Sequence, residues 1–168
     1  MRCYIGVGSN IEPQHHIENA LLSLQKQVSV SGSSTFYRTS PIGGKGHSDY
    51  LNGVWKIETE LPPLELKRLL RNIETELGRK RSKNKYADRT IDLDILLYGN
   101  EVIFSEEIEI PDSHIRERPF LSLPLLELDP DLILPDTGER LAGIESAASQ
   151  GDLHPDNTLT RVLKRRIK

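Results

Sequence analysis

Residues 91–95 read Ile-Asp-Leu-Asp-Ile, and this strict alternation restricts the fold more than any other stretch of the chain. Period two makes it a strand with one face in the core. Ile91, Leu93 and Ile95 enter that core, while Asp92 and Asp94 emerge together on the other side, their Cα atoms roughly 6.5 Å apart.

The remaining periodicities place this strand in an order. Cys3 to Gly8 reads as a buried strand, followed by a loop through Asn10 and by Pro13 where a first helical turn tolerates it. Ile17, Ala20, Leu21, Leu24 and Val28 then recur at helical spacing. Ser29–Thr39 and Leu51–Thr59 suggest two strands joined by the glycine-bearing loop Pro41–Asp49. A second helix is expected from Pro63 to Leu77, with Leu66, Leu69, Leu70, Ile73 and Leu77 on one stripe and Gly78 as its stop. After the Asp-Leu-Asp strand, Gly99-Asn100 predicts a hairpin to Glu101–Phe104. Further helices are expected around Phe120–Leu126 and under Leu159, Val162, Leu163 and Ile167. Strand, helix, strand, strand, helix, strand is the ferredoxin-like α+β arrangement, an antiparallel sheet with helices packed on one face. Such a fold implies no function by itself.

At 168 residues, 36% hydrophobic and 28% charged, the chain has globular composition and is expected to form one domain over 1–168, with a basic helical tail at about 158–168. Cys3 is the only cysteine, so neither an intrachain disulfide nor a CxxC zinc framework is available, and a reducing compartment is expected. The longest apolar run, Ile95–Tyr98, is far short of a membrane span, and no signal-peptide pattern opens the chain. The expectation is a cytoplasmic protein without a membrane partner. The net charge of −3 hides two basic windows, 79–89 and 161–168, each carrying +5 against −13 elsewhere. Such windows are solvated faces or phosphate-binding surfaces.

The chemistry is concentrated in Arg89-Thr90-Ile91-Asp92-Leu93-Asp94. Two carboxylates side by side repel, and a hard divalent cation relieves that repulsion while water and phosphate oxygens complete its shell. An ordinary polar strand face is the alternative. Clustered arginines beside the pair favour phosphoryl transfer, where charge on phosphate oxygens must be neutralised in place. Other motifs fall away: Ile11 stands where a Gly-x-Gly-x-x-Gly fingerprint needs its third glycine, and Gly43-Gly44-Lys45-Gly46 lacks P-loop spacing. His15 and His16 point apart on a helix, and His47 and His114 lie in loops without a nearby nucleophile.

Several ordered stretches together resemble one family: Tyr4–Asn10, Phe36–Gly43, Asp49–Asn52, Arg89–Ile95 and Arg118-Pro119-Phe120 are similar to the 6-hydroxymethyl-7,8-dihydropterin pyrophosphokinases of the folate pathway. The resemblance implies a ferredoxin-like fold, and diphosphate transfer from ATP to the hydroxymethyl group of the pterin, with AMP released. It implies that Asp92 and Asp94 hold two Mg²⁺ ions on the ATP phosphates. Tyr50 and Phe120 are expected to sandwich the pterin ring, Asn52 to bond its edge, and the backbone around Thr39, Ser40 and Ile42 to satisfy its remaining polar atoms. Arg79, Arg81 and Arg89 are expected as catalytic cations for the triphosphate, and Arg71, Glu74, Lys85, Tyr86, Asp112 and Arg118 on the nucleotide side. Alignment and charge neutralisation carry such a reaction, with no strong general base.

Two positions depart from the family pattern. Lys85-Tyr86-Ala87-Asp88-Arg89 replaces an arginine-tryptophan-glycine-proline-arginine run and adds an acid. Pro111-Asp112 replaces proline-histidine, with His114 two residues on. A catalytically weak pterin- or nucleotide-binding relative is therefore a second reading. A ferredoxin-like RNA-binding module is the third, opposed by an aromatic content of 5%. Functional neighbours are expected in the folate pathway, and nucleic acid is not an expected partner.

Overall fold

The computed structural model describes residues 1–40, 46–84, 87–144 and 152–167. The order begins with β1 (Arg2–Ser9), α1 (Pro13–Gln25), β2 (Ser29–Ser33), β3 (Tyr37–Thr39), β4 (Tyr50–Glu58), α2 (Pro63–Glu76) and β5 (Asp92–Tyr98). It continues through β6 (Ile103–Phe104), β7 (Glu109–Ile110), a 3₁₀ turn at Ser113–Arg116, α3 (Pro119–Leu128), β8 (His154–Pro155) and α4 (Asn157–Arg166). Among the described residues the main sheet runs β5-β1-β4-β3-β8, with β2 also on β4 and every pairing antiparallel. The expected α+β order is present, with the central pair β1 and β4 flanked by β5 and the β2–β3 strand.

The odd residues of β1, namely Cys3, Ile5 and Val7, join Leu51, Trp55, Ile57, Leu93 and Ile95 in a core against the helices. Helix α1 adds Ile17, Ala20, Leu21 and Leu24, and α2 adds Leu66, Leu70 and Ile73, so both sequence stripes face the sheet. Each such valine, leucine or isoleucine contributes about 1.5–3 kcal/mol by leaving water. Gly78, at φ +81°, takes the left-handed position that ends α2.

Three features differ from the sequence reading. The expectation of helices on one face holds for α1, α2 and α4, but α3 packs on the opposite face. There Leu121 and Leu125 meet Tyr4, Val54, Leu96 and Leu97. The even positions of the strands are apolar enough at that end of the sheet to need a second layer. The strand expected over 29–39 is split, because Phe36 turns into the core over Gly53, where a Cβ would lie 2.5 Å from its ring. Finally, β6 pairs with β7 rather than with β5. Gly99, at φ +52°, gives its N–H to Arg2 O at 2.7 Å and turns the chain away, which lets Ile108 and Ile110 join the helix-side core.

The expected basic tail is a packed helix. Leu159 and Leu163 of α4 are buried, Asp156 caps its start by accepting from Leu159 N, and Thr160 Oγ1 accepts from Phe36 N. Among the described residues no helix is long and apolar enough to cross a membrane.

Candidate active site

Strand register builds the site. Gly8 lies between Asn52 of β4 and Asp92 of β5, and Gly6 between Val54 and Asp94. Alternation then puts Tyr50, Asn52, Gly6, Gly8, Asp92 and Asp94 on the sheet face away from α1 and α2. A Cβ on Gly8 would stand 2.7 Å from Asn52 Oδ1, so only glycine leaves room for that amide. The Gly-x-Gly of β1 is thus the bare floor between an amide and two carboxylates.

Two spaces open above this floor. A cleft of about 370 Å³ is walled by Lys67, Arg71, Glu74, Arg79 and Arg81 on one side and by 105–109 on the other. A smaller cavity of about 60 Å³ lies among Gly6, Gly8, Tyr50, Asn52, Arg118 and Phe120. Asp92, Asp94, Asp112 and His114 line both. The carboxylate pair therefore stands at the junction of a large polar cleft and a small cavity with aromatic walls.

The charges are ordered. Glu74 is 2% exposed; it pairs with Arg79, accepts from Arg81 Nη2 at 3.2 Å and accepts from Leu93 N at 3.2 Å. Arg79 and Arg89 hold the two oxygens of Asp92 at 2.9 and 2.8 Å. Asp94 is different. No donor among the described residues reaches it, and although water enters from the cleft, desolvation by the walls pushes its carboxyl up to about 7, with the charges of Asp92 and Asp112 adding to the rise. A partnerless carboxylate crowded by two others is a site that a divalent cation stabilises. No three such side chains among the described residues form a metal cage by themselves. That suits Mg²⁺, which keeps water and substrate oxygens in most of its shell.

The residues singled out in the sequence divide as follows. Arg71, Glu74, Arg79, Arg81, Asp92, Asp94 and Asp112 line the cleft, and Tyr50, Asn52, Arg118 and Phe120 line the cavity. Arg89 borders a third, basic recess with Arg79 and Arg81. Glu74, expected beside the nucleotide, has both oxygens engaged by arginines and backbone and instead fixes the cations in place. Thr39 is not at the cavity wall; its hydroxyl accepts from Asn52 Nδ2 at 2.8 Å and orients the amide. Ser40 is exposed and lines neither space. Ile42, Lys85 and Tyr86 fall outside the described residues. Asp112 does not face the cleft freely, because its Oδ1 accepts from His114 N at 2.8 Å and lies 3.0 Å from His114 Nδ1. The Arg118 guanidinium sits 5.8 Å from the Phe120 ring centroid.

Asp88 and His114 stand at the two departures from the family pattern, whereas sequence reasoning passed over Gly6 and Gly8 as site residues, Lys67, Asn10 and His47. The signal for the glycines was their place on the central strand opposite Asp92 and Asp94. Nothing local marks the others.

Comparison with known proteins adds a lineage. Residues 4–130 match the family model described as 7,8-dihydro-6-hydroxymethylpterin-pyrophosphokinase (HPPK). A 2-amino-4-hydroxy-6-hydroxymethyldihydropteridine pyrophosphokinase from Haemophilus influenzae is 43% identical over 137 residues, covering 80% of this chain and 85% of the relative. One from Pseudomonas aeruginosa is 37% identical over 138 residues, with coverage of 80% and 85%. A crystal structure of Plasmodium falciparum HPPK-DHPS shares the fold at TM-score 0.68 and 13% identity, over 88% of this chain and 43% of that one. With the match spanning most of its length, the chain belongs to the 7,8-dihydro-6-hydroxymethylpterin-pyrophosphokinase family.

Proposed function

We propose that the cleft takes ATP, that the smaller cavity takes the pterin alcohol, and that the two substrates meet at Asp92 and Asp94. The chain is a pyrophosphokinase of folate biosynthesis, with ATP as co-substrate. The observation that carries the assignment of sites is the junction, where one carboxylate pair borders both spaces.

Arg79, Arg81 and Arg89 hold the triphosphate, with Glu74 beneath them keeping two of the three guanidinium groups aimed into the cleft. Arg71 flanks the nucleotide and Lys85 and Tyr86 contribute to its binding, while Arg118, on the wall of the smaller cavity, stands on the pterin side. Asp92 and Asp94 would hold two Mg²⁺ ions, which would supply positive charge to offset the charge developing on the phosphate oxygens. Tyr50 and Phe120 stack on the two faces of the pterin, and Asn52, fixed by Thr39, bonds its edge. A cavity of about 60 Å³ is smaller than ordinary ligand pockets of roughly 300 Å³ or more, so Tyr50 and Phe120 part to admit the ring. The pterin hydroxyl oxygen then attacks the β-phosphorus, the bond to the α-phosphate oxygen breaks, and AMP leaves. Alignment does most of the work.

Residues 1–168 act as one domain in this reading, with α4 as its basic C-terminal helix. The buried Cys3 thiol, pushed up to about 12 mainly by desolvation, stays protonated and inert, in keeping with a cytoplasmic enzyme. The test is AMP release from ATP, Mg²⁺ and the pterin alcohol. Wild-type protein should require all three, and turnover that is unchanged in Asp94→Ala would remove the carboxylate pair from the mechanism.

A further inference from the structure

The two substrate sides are tied together by a cluster that none of the assigned roles uses. Asn10, at the end of β1 and only 5% exposed, sits at its centre. Its Nδ2 donates to Asp88 Oδ1 at 2.7 Å and to Ser48 O at 3.3 Å, and its Oδ1 accepts from Arg89 N at 2.7 Å. Its backbone N–H donates to Arg89 O at 3.1 Å. Both amide hydrogens and the amide oxygen are therefore engaged, which fixes the orientation of the side chain.

Asp88 extends this cluster across a gap in sequence. His47 Nδ1 lies 2.7 Å from the same Asp88 Oδ1 that Asn10 contacts. An ionised carboxylate only accepts, so the imidazole carries its proton on Nδ1 and donates. His47 and Ser48 lead directly into Tyr50, a wall of the small cavity, and the Tyr50 hydroxyl donates to Ala87 O at 3.4 Å, one residue before Asp88. On the other side, Arg89 Nη1 donates to Asp92 Oδ2 at 2.8 Å. An unbroken path of hydrogen bonds thus runs from His47 through Asp88, Asn10 and Arg89 to Asp92. The two bonds from nitrogen donors hold the Asp88 carboxyl below its usual range, as expected of an oxygen that is a structural acceptor.

We propose that Asp88 is a positioning residue, the link that holds the His47–Tyr50 wall of the small cavity and the Arg89–Asp92 pair in one geometry. It touches neither substrate. It acts through Asn10 on Arg89 and through His47 on the approach to Tyr50, so its loss misaligns the attacking oxygen and the phosphate without removing a contact to either. The proposal rests on the assignment of the two spaces to ATP and pterin.

The test is steady-state kinetics on Asp88→Ala, Asp88→Asn, His47→Ala and the Asp88→Ala/His47→Ala double variant, with thermal melting in parallel. Asp88→Ala should lower kcat about tenfold at saturating substrates, as small misplacements of reacting groups do, and change the KM for ATP by less than about twofold. Asp88→Asn keeps an acceptor oxygen for both partners and should recover most of that loss. The double variant should be no worse than Asp88→Ala, because both changes break one link. An unchanged kcat in Asp88→Ala, however far its melting temperature falls, overturns the proposal, as does a double variant whose losses multiply. These outcomes leave the site assignment standing as long as wild-type protein releases AMP and Asp94→Ala does not; absence of AMP release from the wild type overturns both.

Discussion

The two faces of the sheet are built from the same strands and treat charge in opposite ways. On the helix side, β1, β4 and β5 contribute Ile5, Val7, Trp55, Ile57, Leu93 and Ile95, all buried, and α1, α2 and α4 close over them. On the other side, α3 covers only one end, and the uncovered end shows Gly6, Gly8, Asn52, Asp92 and Asp94. Neighbouring residues of β5 thus serve opposite purposes: Leu93 holds the fold and Asp94 stands in the repulsive field of two other carboxylates. A strand separates stability from chemistry by alternation alone, so a site can be strained without loosening the core one residue away.

The sharpest way to break this contrast is to exchange the effects. Leu21→Ala, on the covered face, should cost about 2–5 kcal/mol of stability, the usual range for a buried leucine. Its kcat per folded molecule should stay near wild type. Denaturant melts with activity corrected for the folded fraction check this, and a large drop in kcat would show that the faces are not independent.

Next in size, Asp94→Ala should reduce kcat by at least about 10²-fold, the effect of losing one preorganised electrostatic group. Asp94→Asn should do the same and, because it removes the crowding with Asp92 and Asp112, should raise rather than lower the melting temperature of the ligand-free protein at neutral pH. Calorimetry without ligands decides it. A lower melting temperature would mean that Asp94 is a stabilising group and that the contrast is false.

Tyr50→Ala and Phe120→Ala should weaken pterin binding by about 0.5–1.5 kcal/mol beyond the area they bury, and ATP binding alone should change little. Calorimetric titration with each ligand separates the two spaces, and equal losses for both would merge them.

The smallest effect concerns what holds the α3 side together. Arg116 donates to Asp136 Oδ1 at 2.8 Å, tying the 3₁₀ turn to the segment that carries Leu134 and Leu141 into the second core. That hydrogen bond holds the Asp136 carboxyl below its usual range. A depressed folded pKa means that the contribution is present above the unfolded value near pH 4 and is lost as pH falls through the folded one. Asp136→Asn should therefore cost no more than about 1 kcal/mol at pH 7 and nothing at the acid end of that window. Melts across pH 2–7 should converge at low pH.

The sequence showed the covered face well and the open face in part. Apolar stripes on α1 and α2 and the alternation of β5 are local patterns, so periodicity finds them, and register then carries Asp92 and Asp94 to the open side. The β6–β7 pairing was not legible, because it depends on Gly99 bonding to Arg2 and on Ile108 and Ile110 finding the core, both of them distant events. The same holds for Asn10, His47 and Asp88. They are far apart in the chain, carry no periodic signal, and meet only because β1 ends where the chain re-enters β5. Asp112 illustrates the converse. Its departure from the family pattern was visible, but its use as the cap that holds His114 required the turn itself.

The pairing of β8 with β3 has a consequence for life in a crowded solution. A bare outer strand offers its amides and carbonyls to any passing chain and invites edge-to-edge association. Here β3 has its outer neighbour in His154 and Pro155, and proline has no N–H to extend the ladder further. Residues beyond the family-matched 4–130 thus end the sheet on a strand that cannot easily be continued, which disfavours edge-to-edge association on that side.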